Sequence, residues 1–354
     1  MMVQPLTTQL ITCTQLEDHE TIAKCRCVLG RACANPLRFD PGWLRVLQRG
    51  LRHKPFLLVA MQGGQPVGTL SLSLVRSLLF GRYLVSLPYV NLAGVVADNA
   101  EATTALIDRA VELADEYDVQ YLELRQDTLV KHPALDHYTT TKVNMGLTLP
   151  GTVDKLWNQF SGRVRNKVRK GEKQGFTVHW GSDDLLADFY AVFSRNMRDL
   201  GTPVFGRELF ERILSEFPEA AELCVVRAKG QPVAGALLIH GNGMTEVPSA
   251  SSLRAFGPLN ANDWMYWQLL QRAVARGQRV FDFGRTTVDS TTYVFKKKWG
   301  SKPIPTFWQY YLRRGSVTEM RLESGRYDKM IRIWRRLPLW VTLRLGPYIV
   351  RGIP

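Results

Sequence analysis

Along the chain, runs of apolar residues broken by Gly and Pro alternate with stretches whose apolar positions recur every three or four residues. LLVAMQGGQPVGTLSLS, from Leu57, reads as a buried strand, a tight turn and a second strand, with Gly and Pro supplying the turn geometry. LCVVRAKGQPVAGALLI, from Leu223, reads the same way, and both contain Gly-Gln-Pro-Val, at 64–67 and 230–233. The downstream order agrees. The first copy continues into a strand (YVNLAGVVA), a helix over 102–117 and a strand (YLELR). The second continues into MTEVPSASS, a helix over 262–276 and VFDFGR. Both helices contain Arg-Ala-Val, at Arg109 and Arg272, and both closing strands carry a carboxylate, Glu123 and Asp282. In 184–200, Leu185, Phe189, Val192, Phe193 and Met197 share one helical face, and Gly201 and Pro203 end the helix.

This periodicity predicts an α+β fold: two tandem units, each a mostly antiparallel sheet flanked by helices. The expected boundaries are 1–150, 151–315 and a tail over 316–354. Two units suit a chain of 354 residues. No basic start followed by an apolar block opens the sequence, and no stretch approaches the ~20 apolar residues of a membrane span. Four of the five cysteines (Cys13, Cys25, Cys27, Cys33) crowd the N-terminus without a Cys-x-x-Cys pair or helical His partners. Reduced cysteines in a cytoplasmic protein are therefore expected, and no metal site.

Charge changes the picture. The net +14 lies largely in 163–173 and after Arg313, and it implies an anionic partner. A helix over 160–173 would carry Phe160, Val164 and Val168 on one stripe. Arg163, Lys167 and Lys170 would flank one side, and Arg165, Arg169 and Lys173 the other. Arg163, Arg165 and Lys167 are the expected contacts to a nucleotide-linked or lipid-linked sugar, or to RNA. A solvated helix whose Lys and Arg stems cover apolar surface is the plainer alternative. In the tail, Trp334, Leu339, Trp340, Leu343 and Leu345 interleave with Arg332, Arg335, Arg336 and Arg344. That mixture suits either peripheral membrane contact or an arm packed back on a domain.

The candidate chemistry sits in the second copy. Asp282 lies in an apolar strand, where a carboxylate needs a partner, and Arg285 is within reach. Asp282 or Glu246 would anchor an attacking amine. Tyr293, Lys296 and Lys297 follow on a short helix facing the same cleft. Lys296 is expected there as a solvated cation that binds a substrate phosphate or steadies an oxyanion, with Lys297 beside it. Ser249, Ser251 and Ser252 could hold a sugar or an acyl carbonyl, or form a capped polar loop. No Gly-x-Ser-x-Gly, His-Glu-x-x-His or Walker motif occurs. Direct attack by an amine within a ternary complex is expected, not a covalent acyl-enzyme.

The order of elements resembles the GNAT acyltransferase fold, and the tandem pair resembles the Fem-type aminoacyl transferases of peptidoglycan bridge synthesis. RNKVRKGEKQGFTV (from Arg165) is similar to the basic helix that opens the Fem second lobe. FDFGR (281–285) and YVFKKKWG (293–300) resemble its closing strand and FK-x-x-aromatic-Gly segment. The likeness runs from about residue 38 to 311 and is nearest to Fem-related proteins associated with exosortase and PEP-CTERM systems. It implies N-acyl transfer, aminoacyl transfer included, onto a cell-envelope or exopolysaccharide precursor at the cytoplasmic face. The implied donor is an aminoacyl-tRNA or an acyl-CoA. GVVADNAEAT and SSLRAFGPLNAND lack the Gly-rich pyrophosphate turn of ordinary GNAT enzymes, so no tightly bound coenzyme A is expected. A non-catalytic binding or scaffold protein of such an assembly is the alternative.

Overall fold

The computed structural model describes residues 6–11, 15–77, 81–315 and 328–353. In chain order the first half forms β1 (Leu6–Ile11), α1 (His19–Ala32), α2 (Gly42–Leu51), β2 (Lys54–Gln62), β3 (Gln65–Ser77), β4 (Gly81–Val85), β5 (Val96–Ala97), α3 (Ala100–Glu116), β6 (Tyr121–Gln126) and β7 (His137–Thr139). Then come β8 (Lys142–Thr148), α4 (Val153–Gln159), α5 (Gly162–Glu172), β9 (Thr177–Gly181), α6 (Leu186–Leu200), α7 (Arg207–Glu216), β10 (Ala221–Ala228), β11 (Gln231–Gly241) and β12 (Met244–Ser252). The chain ends with α8 (Ala261–Ala275), β13 (Val280–Thr287), α9 (Thr291–Lys297), β14 (Lys302–Pro305), β15 (Phe307–Leu312), α10 (Asp328–Trp334) and α11 (Leu339–Val350).

The two sheets have the same order. One runs β1-β2-β3-β4-β6-β15-β7 with β5 on β3, the other β9-β10-β11-β12-β13-β8-β14. β4–β6 and β12–β13 are the parallel pairs at matching places. Both hairpins turn on two residues of positive φ, Gly63–Gly64 and Lys229–Gly230, the backbone that a two-residue turn requires. Both then shift register at the proline, between Ala60/Met61 and between Val226/Arg227. Pro66 and Pro232 therefore sit beside a bulge in the second strand, where proline's missing N–H is tolerated, and the turns precede them. The duplication extends to backbone irregularities.

Two expectations are corrected. YVNLAGVVA is mostly irregular, and the strand that follows the first hairpin is β4; its Gly-Arg-Tyr start gave little period-two signal. The boundary at 150 also fails. The first compact unit comprises 1–140, 305–327 and 347–354, the second 141–304 and 328–346. β8 fills the slot between β13 and β14 in the second sheet, and β15 fills the slot between β6 and β7 in the first. Period-two patterning says which face of a strand is buried but not which sheet the strand joins.

The tail is not a separate piece. In the second unit Ile331 lies against Gly201, and Arg335 donates to the Leu200 carbonyl. In the first unit the His53 ring meets the Arg351 carbonyl at 2.7 Å. Residues 316–327 lie outside the described residues, as does Cys13. Among the described residues no cluster of metal-liganding side chains occurs, and no helix is long and apolar enough to cross a membrane.

Candidate functional site in the second unit

β12 and β13 pair in parallel over three positions, Met244↔Val280, Thr245↔Phe281 and Glu246↔Asp282. Beyond Glu246 and Asp282 they part, though both strands continue. Residues in register on parallel strands project to the same face, so the two carboxylates stand side by side where the sheet opens. A register shift in the β11–β12 ladder, between Leu237/Ile239, brings Ser249 and Ser251 to that face too, opposite Leu237 and Gly235. Strict alternation would have put Glu246 and Ser249 on opposite faces. Bulges re-aim side chains in this way.

Asp282 is 1% exposed. Its Oδ1 accepts the Gly284 N–H at 2.8 Å and its Oδ2 accepts Asn144 Nδ2–H at 3.1 Å. Gly284 has φ +78°, a conformation that disfavours any side chain. That conformation lets its N–H serve Asp282 while its carbonyl accepts from Lys296 Nζ at 2.9 Å. Lys296 also donates to the Arg285 carbonyl at 2.9 Å and is 5% exposed. The expectation of a solvated cation is therefore wrong: α9 turns this lysine inward onto β13. Burial pushes its ammonium down to about 8, opposed by the nearby charge of Asp282 and reinforced by Arg285. An ammonium has three N–H donors and two are used here.

Tyr293 is half-buried on α9, its N–H bonded to the Ser290 hydroxyl at 3.2 Å. Lys297 is exposed, 5.8 Å from the Tyr293 ring, and does not share the Lys296 environment. Ser249 and Ser251 are buried strand residues and Ser252 is half-buried, so they do not form the polar loop that was one reading. Ser251 Oγ accepts Asn196 Nδ2–H from α6 at 3.1 Å. Arg285 is half-buried on β13, opposite Asn144. On α5, Arg163 and Lys167 line a cavity with residues of α9, while Arg165 does not.

Asn144 was not anticipated. It lies on β8, far from Asp282 in sequence, and only the crossing of that strand into the second sheet brings them together. Its Oδ1 is buried with no hydrogen-bond partner among the described residues, an arrangement that costs about 1–3 kcal/mol unless a donor arrives. Gly284 was legible within FDFGR, but its double role was not.

The corresponding place in the first unit is filled. Val85↔Glu123 matches Glu246↔Asp282, so only one carboxylate is present. Arg125 Nε bonds Glu123 at 2.7 Å, and its guanidinium stacks 4.4 Å from the Trp308 ring. Opposite Glu123 stands Tyr310, where Asp282 faces Gly146. The first copy is a closed ion pair under aromatic rings. The second brings together two acids, Arg285, a buried lysine and the Asn144 oxygen.

The turn leading to α8 is where a GNAT enzyme would hold a pyrophosphate. Here the N–H groups of Leu253, Phe256, Gly257 and Asn260 already donate to backbone carbonyls. Asn260, at the start of α8, makes no side-chain capping hydrogen bond.

Residues 158–297 match the acetyltransferase (GNAT) domain family, so this segment forms an acyltransferase domain, and the whole chain has the tandem GNAT fold. FemX superposes with a TM-score of 0.63 at 18% identity, covering 91% of this chain and all of that one. The C-terminal domain of a protein assigned as a lysylphosphatidylglycerol synthetase from Agrobacterium fabrum gives 0.56 at 14% identity, covering 88% and 97%. A tandem GNAT protein from the clavulanic acid biosynthesis pathway gives 0.56 at 14%, covering 86% and 97%. A search of curated proteins found no match.

Proposed function

We propose that this protein transfers an acyl group, an aminoacyl group included, to an amine on an anionic cell-envelope or exopolysaccharide precursor, nucleotide-linked or lipid-linked. One observation carries the reading: where β12 and β13 part, Glu246 and Asp282 stand in register beside a buried Asn144 oxygen that lacks a donor. An incoming ammonium supplies donors for these acceptors. Asp282, held by Asn144 and Gly284, orients the nitrogen. Glu246, the less buried of the two acids, takes the proton that the ammonium must lose before attack.

The amine lone pair then forms the C–N bond to the donor's carbonyl carbon, and the C=O pair moves onto oxygen. Lys296 stabilises that oxyanion with its third N–H. The tetrahedral species collapses by breaking the bond to the donor's alcohol or thiol, which leaves with a proton from the site. Of the two protons the nitrogen loses, one replaces it and one passes to water, so transfer to an ammonium acceptor releases one proton overall. No covalent acyl-enzyme is required.

The donor in this reading is an ester such as an aminoacyl-tRNA, in keeping with SSLRAFGPLNAND, which lacks a Gly-rich pyrophosphate turn. Peripheral contact with the inner face of the cytoplasmic membrane, through the tail helices, goes with a lipid-linked acceptor. An association with an exosortase or PEP-CTERM system belongs to the same reading. The test offers the purified protein radiolabelled aminoacyl-tRNAs or acyl-CoAs with nucleotide-linked and lipid-linked saccharide fractions as acceptors. Label should move from the tRNA pool to an alkali-stable amide. Saturable transfer from acyl-CoA alone would reverse the donor assignment, and transfer from neither would favour a binding protein.

A further inference from the structure

We infer that a cavity between α5 and α9 binds a phosphate or diphosphate group carried on an apolar stem. What the ligand is used for rests on the transferase reading above; that it binds does not. The cavity measures about 420 Å³, within the range of small-ligand sites. Arg163 and Lys167 stand one turn apart on its α5 wall, and Lys298, at the end of α9, completes a cationic set with the Thr291 hydroxyl nearby. No carboxylate lines it. Asp263 reaches only Lys298, from outside the lining.

A solvated basic face would let its lysines splay into water. Lys298 is instead fixed, paired with Asp263 and 4.0 Å from the Phe295 ring. Burial lowers its ammonium pKa, and the charge of Lys167 lowers it further against the pull of Asp263. Like charges held together around a hollow make an anion site. The rest of the wall is apolar. Phe295 packs there, and Val294 stays 62% exposed at the rim. A bare phosphate would leave that apolar wall wet, whereas a phosphate on an apolar stem covers it.

Thr291, Val294, Phe295 and Lys298 recur at the spacing of one helical face. Lys296 leaves the same helix towards β13. A ligand in the cavity therefore braces the helix that carries Lys296.

Calorimetry with inorganic pyrophosphate, uridine diphosphate, farnesyl diphosphate and sulfate tests the site on the full chain. Pyrophosphate should bind, and Arg163→Gln and Lys167→Gln should each weaken it roughly tenfold, as loss of a charge-assisted contact does. Melting temperature should hold, since neither residue is buried. Lys298→Gln should weaken binding as well. Tighter binding of uridine diphosphate than of farnesyl diphosphate marks a nucleotide source, and the reverse a lipid source. The inference is overturned if nothing binds at millimolar levels, if these substitutions leave affinity unchanged, or if sulfate binds as tightly as pyrophosphate.

Discussion

Lys296 sits where removing a charge and removing a structural donor are the same act. Its Nζ serves two buried carbonyls, Gly284 and Arg285, so Lys296→Met strands both. Thermal or urea unfolding should show a loss of about 1–3 kcal/mol, alongside loss of transfer; unchanged stability would contradict the placement. The pH profile separates its chemical roles. With its ammonium held down to about 8, transfer that needs the charged form should fall as pH rises through 8. Transfer that rises there instead would make the neutral amine the working species and remove the oxyanion role. Asp282→Asn keeps the shape but removes the charge beside Lys296. It should weaken transfer by about 2–4 kcal/mol in transition-state energy, read as kcat/KM. The type of these residues was legible in FDFGR and YVFKKKWG, because an acid inside an apolar strand needs an explanation. Burial of Lys296 was not. Three consecutive lysines look like a surface, but the carbonyls of Gly284 and Arg285 draw Lys296 inward and Asp263 holds Lys298.

At the scale of elements, Gly284, with φ +78°, joins β13 to α9 electrostatically. Gly284→Ala should cost about 1–2 kcal/mol from left-handed backbone alone, and it should disturb Asp282 and Lys296 together, detectable as a shifted pH profile. A wild-type profile in that variant would mean the glycine serves only the strand. The hairpins, α3, α6 and α8 were readable from periodicity to within a few residues, since each buries one continuous face. The parting of β12 from β13 and the shift that re-aims Glu246 were not readable, because both arise between strands. α11 presents Trp340 at 68% and Tyr348 at 63% exposure, one side of a helix whose other side buries Thr342 and Gly346. Vesicles containing phosphatidylglycerol should therefore retain the protein more than phosphatidylcholine vesicles, and Trp340→Glu should abolish the difference. Equal retention would leave α11 as a structural arm.

At the scale of the whole molecule, the first compact unit takes β15 from the far half of the sequence, and the second begins at β8, ahead of residue 150. A chain ended at Ile304 lacks β15, whose Gln309 bonds both the N–H and the carbonyl of Val130. Hydrogen exchange in β6 should accelerate at least tenfold in that truncation while β10 and β11 keep their protection; a protected β6 would refute the crossing. No local pattern announces such an exchange, which is why a boundary at 150 was the natural sequence reading. Acid stability follows from two buried groups. Burial pushes the His53 imidazole down to about 4, so the first unit should lose stability as pH falls from 6.5 to 4, where only the unfolded chain takes up the proton. Burial raises the Glu222 carboxyl, but His240, Arg272 and Arg276 carry it down to about 2. Its contribution should persist above 4.5 and fade between 4.5 and 2. His53→Gln should flatten the first of these windows, as followed by circular dichroism. The central claim is that the second unit acts while the first supports. It is tested most directly by transfer from labelled aminoacyl-tRNA, measured side by side for Asp282→Asn and its positional counterpart Glu123→Gln. The account predicts that Asp282→Asn loses transfer while folded, and that Glu123→Gln keeps turnover but melts lower, its partner Arg125 left buried. Transfer retained in Asp282→Asn and lost in a folded Glu123→Gln would contradict it.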